Sequence, residues 1–154
     1  MSAGAGLPGG EVAARVSSSS LAPNANTVQP LRAVPPSNLS LLGLVRHMSD
    51  TERGWVTQTY RGEQVPDLYY RTDAPDADFE EADPAGAEEA FERYRAECRA
   101  VDAALEGAKL DETFTFREKI ISVRWMWQHL VEEYARHNGH ADLIREVIDG
   151  SAGL

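Results

Sequence analysis

Three of the four histidines of the chain lie in one short segment, HLVEEYARHNGH, which runs from His129 to His140. Glu133 precedes His137 by four residues, and side chains four residues apart lie on the same side of a helix. At about 100° per residue, Glu133, His137 and His140 lie within about a sixth of a turn of one another. A carboxylate and an imidazole placed in this way can hold a divalent metal ion between them.

The surroundings of this stripe are apolar, which makes an unpaired carboxylate there costly. Residues on or beside the stripe are Met126, Leu130, Ala141, Ile144 and Ile148. Burial of an unpaired Glu costs several kcal/mol or forces it to take up a proton. Glu133 and His137 therefore either pair with each other or share a cation, and the same spacing is also common in surface pairs. His140 could instead form a hydrogen bond near the end of the helix. His129 could simply pack against its neighbours.

A third ligand has to come from another element, and the remaining histidine is His47, in SNLSLLGLVRHMSDTERGW. The apolar pattern around it has steps of three and four residues, as in an amphipathic helix. Its members are Leu41, Leu44, His47, Met48, Thr51 and Trp55. A lone histidine on such a face is more often a hydrogen-bonded core residue. Together with Glu133 and His137, however, it predicts two nitrogens and one carboxylate oxygen with a position left open, as in catalytic zinc sites.

Three further residues have a chemical and a plain structural interpretation. Arg46 and Arg136 each adjoin a predicted ligand and could meet a carboxylate of a substrate, although neighbours of core-facing residues more often face solvent. Cys98 lies in an apolar helical seam with no neighbouring histidine, so we predict a small buried hydrophobic residue rather than a catalytic thiol. No catalytic residue beyond the metal ligands is assigned.

Composition limits the classes of partner. The formal net charge is −10, and the 15 Lys and Arg residues are scattered, which argues against nucleic acid and against an anionic membrane surface. No stretch approaches the roughly 18 apolar residues of a membrane span. With a single cysteine and no apolar run near the N-terminus, the default location is the cytoplasm.

The pattern of elements predicts one helical domain after a flexible tail. Residues 1–36 are rich in Ala, Gly, Ser and Pro and predict a mobile, low-complexity segment. Ser37 or Asn38 is expected to cap a helix that ends near Arg61, before Gly62. A long loop follows, in which Tyr69, Tyr70 and Phe79 are expected to tuck against the bundle and the acidic run 76–83 to form a solvated surface.

The second half of the chain predicts two more helices. One follows Pro84 and presents a seam of apolar residues with steps of three and four, namely Phe91, Tyr94, Cys98, Val101 and Leu105. A brief extended segment covers 113–116. Ser122 is expected to cap the last helix, which ends near Asp149 and Gly150.

Three segments together resemble the DinB superfamily, in the branch similar to mycothiol-dependent maleylpyruvate isomerases and mycothiol S-transferases. They are NLSLLGLVRHMSDTERGW, DLYYRTDAPDADF and SVRWMWQHLVEEYARHNGHADLIREVIDG. The resemblance runs from about residue 32 to 150 and is most specific in EEYARHNGHADL. It implies an all-α, up-and-down four-helix bundle with a divalent metal, often zinc or nickel. The family's first helix has no counterpart in residues 1–31, so we expect it to be missing or replaced by the tail, with the bundle domain at 37–150.

By the same resemblance, His47 corresponds to the family's second-helix ligand, and Glu133 and His137 to the pair on its fourth helix. His140 stands where relatives often have glutamine, so we expect it beside the site rather than in it. The additional C-terminal domain of maleylpyruvate isomerases has no counterpart before Leu154, and we do not expect that particular activity.

The function that the resemblance implies, and that a metal site of this kind would suit, is that of a thiol S-transferase. A divalent metal, zinc first and nickel second, would activate a low-molecular-weight thiol such as mycothiol toward an electrophile. The alternative is a non-catalytic bundle that binds a metal or small molecule, or a truncated relative without activity. Without a first helix, the apolar faces around Leu44 and Phe91 would be exposed, which predicts a possible homodimer.

Overall fold

The computed structural model describes residues 32–150. In chain order the elements are α1 (Leu41–Glu52), a π-helix (Arg53–Tyr60), α2 (Ala77–Glu80), a 3-10 turn (Pro84–Gly86), α3 (Ala87–Leu105), β1 (Thr113–Phe116), β2 (Lys119–Ser122) and α4 (Val123–Asp149). The described part is mostly helical, as predicted, but β1 and β2 make it not strictly all-α. The predicted tail and the absent first helix fall almost entirely on residues 1–31, outside the described residues. Within 32–150, no helix combines the length and the apolar character that a membrane span requires.

The first helix begins later than predicted and changes its winding before it ends. Its N-cap is Ser40, whose hydroxyl accepts the Gly43 N–H at 3.1 Å, whereas the Ser37 hydroxyl accepts the N–H of Leu39. The prediction of Ser37 or Asn38 as the cap is therefore wrong. The helix does stop before Gly62, which has a φ of +69° that favours glycine. Its last eight residues are π-helical, so positions beyond Glu52 no longer follow the α-helical period.

The core lies where α1 and α4 meet α3. The predicted seam on α3 is confirmed, with Tyr94, Cys98 and Val101 buried. One core cluster joins this seam to α1 and consists of Val45, Met48, Tyr94 and Cys98. A second cluster links the π-helix, α3 and α4 and consists of Val56, Val101, Val123, Met126 and Leu130. Leu44 is buried and Phe91 packs against the first cluster, so these residues do not form the exposed faces expected from the sequence.

A β-hairpin connects α3 to α4. The predicted extended segment, β1, pairs antiparallel with β2, with Thr113 opposite Ser122 and Phe116 opposite Lys119. Ser122 caps α4 as predicted, because its hydroxyl accepts the N–H of Trp125 at 3.2 Å. The helix then ends at Gly150, which has a φ of +75°. The hairpin therefore fixes the point from which α4 starts toward the candidate site.

The loop between the π-helix and α3 is fastened to the helices rather than laid loosely over them. The Asp50 carboxylate accepts three successive backbone N–H groups, those of Leu68, Tyr69 and Tyr70, at 2.6 to 2.9 Å. The Arg46 guanidinium lies 4.3 Å from the centre of the Tyr69 ring. The expected packing of the loop aromatic residues is thus confirmed for Tyr69, whereas Tyr70 is exposed.

Candidate metal centre

The structure brings His47 of α1 together with Glu133 and His137 of α4. One ligand atom from each residue lies within 4.8 Å of the others. Among residues 32–150, these are the three His, Cys, Asp or Glu side chains that lie close enough to hold one ion together. The His47 and His137 rings meet edge to face with their centres 4.7 Å apart. The three residues predicted from spacing and from the lone remaining histidine therefore converge on one point.

His47 is held from behind by a buried carboxylate. Its Nδ1 lies 2.8 Å from Oδ2 of Asp78, a residue of α2 that is only 7% exposed. A carboxylate oxygen is a hydrogen-bond acceptor, so this contact favours the His47 tautomer in which Nδ1 carries the hydrogen and donates the hydrogen bond to Asp78. The other ring nitrogen, Nε2, is then the one with a lone pair for a cation. The prediction that the acidic run 76–83 is a solvated surface is wrong for Asp78.

The two oxygens of Glu133 have different neighbours. Oε1 faces Arg136 at 2.9 Å and His129 Nε2 at 3.7 Å, while Oε2 faces His137 Nε2 at 3.3 Å. The side chains of Glu133 and His137 are each only 12% exposed. Arg136 and His129 thus surround one oxygen, and the other oxygen faces the His137 imidazole.

His137 is the fourth-helix imidazole of the group, and His140 lies behind it. The two Nδ1 atoms are 3.4 Å apart, so His140 is a neighbour of the group, as expected, and not part of it. Burial lowers the pKa of His137, and the neighbouring His47 lowers it further, while Glu133 acts in the opposite direction. The neutral form of His137, which is the form that binds metals, is thereby favoured.

The donor set fits a divalent ion of the zinc type. Two ligand atoms at about 2.0–2.1 Å from a tetrahedral zinc are about 3.4 Å apart, and the His137 to Glu133 distance of 3.3 Å matches this. Two imidazole nitrogens and one carboxylate oxygen are ligands that Zn²⁺ and Ni²⁺ accept. A hydrogen-bonded carboxylate behind a ligating histidine is also the usual arrangement at such centres. The same 3.3 Å contact also brings the two side chains together directly, so Glu133 and His137 remain partnered without an ion.

Asp78 is the site residue that the sequence interpretation missed. The one signal available was the alternation of apolar Ala77 and Phe79 with acidic residues, which indicates that part of the run is packed. Arg46 was also misplaced, because it is buried and donates from Nη2 to the Ala77 carbonyl at 2.9 Å rather than facing solvent. Arg136 is exposed, as expected, although it pairs with Glu133.

Cys98 is a small buried residue of the core, as predicted. It is buried between α1 and α3, and burial, with the nearby Glu52 carboxylate, raises its pKa to about 11. A thiol with such a pKa is almost entirely protonated at neutral pH and is a poor nucleophile. Any thiolate chemistry therefore has to come from a bound thiol.

An aromatic surface extends from the metal-ligand group along α4 and the π-helix. His129, next to Glu133, stacks on Trp125 with an angle of 5° between their rings, and Trp55 contacts both rings. Phe116 of β1 lies against Trp55, with ring centres 4.7 Å apart. Trp125 is 45% exposed, so this surface is open to solvent on one side. The sequence indicated only that His129 would pack.

Comparison with known proteins agrees with this architecture. A family model described as mycothiol-S-transferase matches residues 27–150, which include all three converging side chains and Asp78. Comparisons with curated proteins and with solved structures give no match. The family match covers most of the sequence and is consistent with the DinB-like branch that the motifs resemble. The chain therefore belongs to the mycothiol-S-transferase family.

Proposed function

We propose that this protein transfers a low-molecular-weight thiol, of the mycothiol type, to an electrophile at a metal centre formed by His47, Glu133 and His137. The observation that carries the proposal is the convergence of these side chains within 4.8 Å in a chain of this family. Zinc is the ion that the donor set favours, with nickel as the second candidate. The cytoplasm, where small thiols are kept reduced, is the compartment that suits this reaction.

A divalent ion bound there would stabilise a thiolate over a thiol, so that a sulfur with an ordinary pKa near 8.5 is deprotonated at neutral pH. The protein residues supply the rest. His47 and His137 each offer a ring nitrogen, and Glu133 offers one oxygen while Arg136 neutralises the other. The S–H proton passes to water, the sulfur electron pair forms the new C–S bond, and the leaving group departs with the electrons of its own bond.

The aromatic surface beside Glu133 supports a substrate of some length. Trp125 precedes Glu133 by eight residues, or about 12 Å along the helix at 1.5 Å per residue. A ligand whose sulfur lies at the three converging side chains can therefore extend over His129 toward Trp125. Rings and apolar faces of a ligand gain contact area there at little entropic cost, because these aromatic side chains are already packed.

The test is metal content together with turnover. We expect the protein purified without chelators to hold about one divalent ion per chain, and to consume 1-chloro-2,4-dinitrobenzene in the presence of mycothiol. His137→Ala should lose the ion and the activity, whereas His140→Gln, altered beside the group, should keep the ion. A wild-type protein that binds no ion would overturn the proposal. An ion without thiol-dependent turnover would favour the non-catalytic binding protein instead.

A homodimer remains a prediction, but its interface would use other residues than Leu44 and Phe91. Two large apolar side chains near the end of α4, Leu143 and Val147, are exposed. By the helical repeat they lie within about 40° of each other on one side of α4. A second copy packed there would cover them. Sedimentation at micromolar concentration should give a dimer, and Leu143→Glu should shift it toward monomer; a wild-type monomer would contradict the prediction.

A further inference from the structure

The buried acidic residue of α2 faces the back of a candidate ligand rather than solvent. Both oxygens of Asp78 are used, since Oδ2 lies 2.8 Å from His47 Nδ1 and Oδ1 accepts the Phe79 N–H at 3.0 Å. Its neighbours Asp76 and Glu80, in the same acidic run, are exposed. A carboxylate gains nothing from burial unless it is paired, so the direction of Asp78 toward His47 calls for an explanation.

The four-residue helix α2 is clamped onto α1 at several points. Arg46, the residue before His47, donates to the backbone carbonyls of Ala77 and Glu81, at the two ends of the turn. The Glu81 side chain in turn accepts two hydrogen bonds from Arg71, at 2.6 and 2.9 Å. The position of Asp78 is thus fixed by contacts that do not involve the imidazole. The carboxylate sets the orientation of His47, and not the reverse.

Phe79 restrains the orientation of the His47 ring. Its ring stacks on His47 with centres 5.4 Å apart and an angle of 30°. It can approach so closely because residue 43 is glycine: a Cβ there would lie 2.6 Å from Phe79 Cδ1. Adjacent residues of α2 therefore restrain both the rotation of the ring and the nitrogen that carries its proton.

We propose that Asp78 is a positioning residue for the metal centre, and that it fixes His47 as the Nδ1–H tautomer, which leaves the lone pair on Nε2 for an ion shared with Glu133 and His137. In water a neutral histidine exchanges between two tautomers, and only one of them presents a lone pair at Nε2. With Asp78 accepting the Nδ1 proton, the ligand is organised before any ion arrives. This inference rests on the proposed metal centre.

The test is the affinity for Zn²⁺ of folded variants. Loss of a carboxylate behind a ligating histidine typically costs 10–100-fold in metal affinity. We expect a loss of that order for Asp78→Ala, and a smaller loss for Asp78→Asn, which keeps an acceptor oxygen but not the charge. Asp76→Asn and Glu80→Gln remove exposed charges from the same run and should leave the affinity unchanged. Competition with a fluorescent chelator measures each value, and circular dichroism establishes which variants fold.

A second measurement separates positioning from a merely structural ion pair. Long-range ¹H–¹⁵N NMR of the ion-free protein should show His47 as the Nδ1–H tautomer in the wild type and a mixture of tautomers in Asp78→Asn. A folded Asp78→Ala or Asp78→Asn variant that binds Zn²⁺ as tightly as the wild type would overturn the inference while leaving the proposed function intact. A wild type that binds no Zn²⁺ would overturn both.

Discussion

Glu52 is a buried carboxylate whose two oxygens have unequal surroundings. Oε1 accepts a hydrogen bond from the Tyr134 hydroxyl, whereas Oε2 is buried with no hydrogen-bond partner among the described residues. Burial, the largest effect, raises the pKa of Glu52 above its ordinary value of 4.5; the hydrogen bond from Tyr134 acts in the opposite direction, and the Asp102 and Glu97 carboxylates raise the pKa further. The ionised form of Glu52 is therefore the unfavourable one in the folded protein.

The sign of the resulting pH dependence follows from linkage. Since the folded protein holds the Glu52 proton more tightly than the unfolded chain, stability from this group is fully present below about pH 4.5 and falls as the pH rises through the folded-state pKa. The facing groups are Tyr134 on α4 and, on α3, Tyr94, Glu97, Cys98 and Asp102. The Arg53 guanidinium lies 2.6 Å from Glu97 and pairs with that carboxylate rather than with Glu52.

Glu52→Gln should therefore stabilise the protein at pH 7, on the order of 1 kcal/mol, because it removes the buried charge and keeps an acceptor for Tyr134. The gain should shrink as the pH falls toward 4.5. Urea unfolding at several pH values measures it, with Glu106→Gln, an exposed carboxyl, as the control. Equal stability of Glu52→Gln and wild type at every pH would show that the buried charge has no net cost.

At the level of residues, the sequence predicts the parts of the site that are set by local geometry. Glu133 and His137 share one helix, so their spacing alone places them together, and His47 was the one histidine left to join them. Asp78 could not be found in this way, because its contact with His47 spans 31 positions and depends on how the intervening loop folds. Long-range contacts made by irregular segments have no period in the sequence.

Among the elements, the contact of α2 with α1 depends on Gly43. A methyl group at this position would lie 2.6 Å from Cδ1 and 3.2 Å from Cα of Phe79, so Phe79 has to shift. We expect Gly43→Ala to destabilise the protein by about 1–3 kcal/mol, as overpacking typically does, and to weaken Zn²⁺ binding because Phe79 and Asp78 move together.

Gly139→Ala is the matched control for that substitution. Gly139 lies inside α4, and a Cβ there meets nothing within 4 Å. Alanine in an open helical position should stabilise by about 0.5–1 kcal/mol. Thermal unfolding should therefore show a lower midpoint for Gly43→Ala and a higher midpoint for Gly139→Ala. Zn²⁺ titration of the same two variants should show weaker binding for Gly43→Ala. If both variants behaved alike, the packing of Phe79 on Gly43 would not restrain α2.

The hairpin turn is a second element whose sequence and backbone disagree. Arg117 and Glu118 have φ values of +46° and +66°, in the left-handed region that costs about 1–2 kcal/mol for an ordinary residue. Two-residue turns of this kind favour Asn-Gly. The double variant Arg117→Asn, Glu118→Gly should increase the free energy of unfolding by roughly 1–2 kcal/mol. The midpoint of thermal unfolding should therefore rise. An unchanged or lower midpoint would mean that the contact of the Arg117 guanidinium with the Phe116 ring outweighs the turn strain.

Element ends show what local signals predict and what they miss. The helix ends at Gly62, Ser122 and Gly150 were predicted correctly. A glycine with positive φ and a capping hydroxyl depend only on residues close by in the sequence. The N-terminus of α1 was misjudged because Ser37 and Ser40 both suit a cap. β2 was missed because its residues, KIIS, are too few to show a strand period. The π-helix has no compositional signal at all.

For the molecule as a whole, the metal centre links α1 to α4, which are distant in the chain. An ion that binds the folded protein but not the unfolded chain stabilises the fold by about 2.7 kcal/mol at a free concentration 100 times its Kd. We expect chelation by EDTA to lower the midpoint of thermal unfolding by roughly 5–15 °C, and added Zn²⁺ to restore it. Differential scanning calorimetry measures the shift. His137→Ala should unfold at the same temperature with and without EDTA, because it lacks the ligand through which the ion acts. A wild type whose midpoint is insensitive to both EDTA and Zn²⁺ would show that His47, Glu133 and His137 only pack against one another and do not form a metal centre.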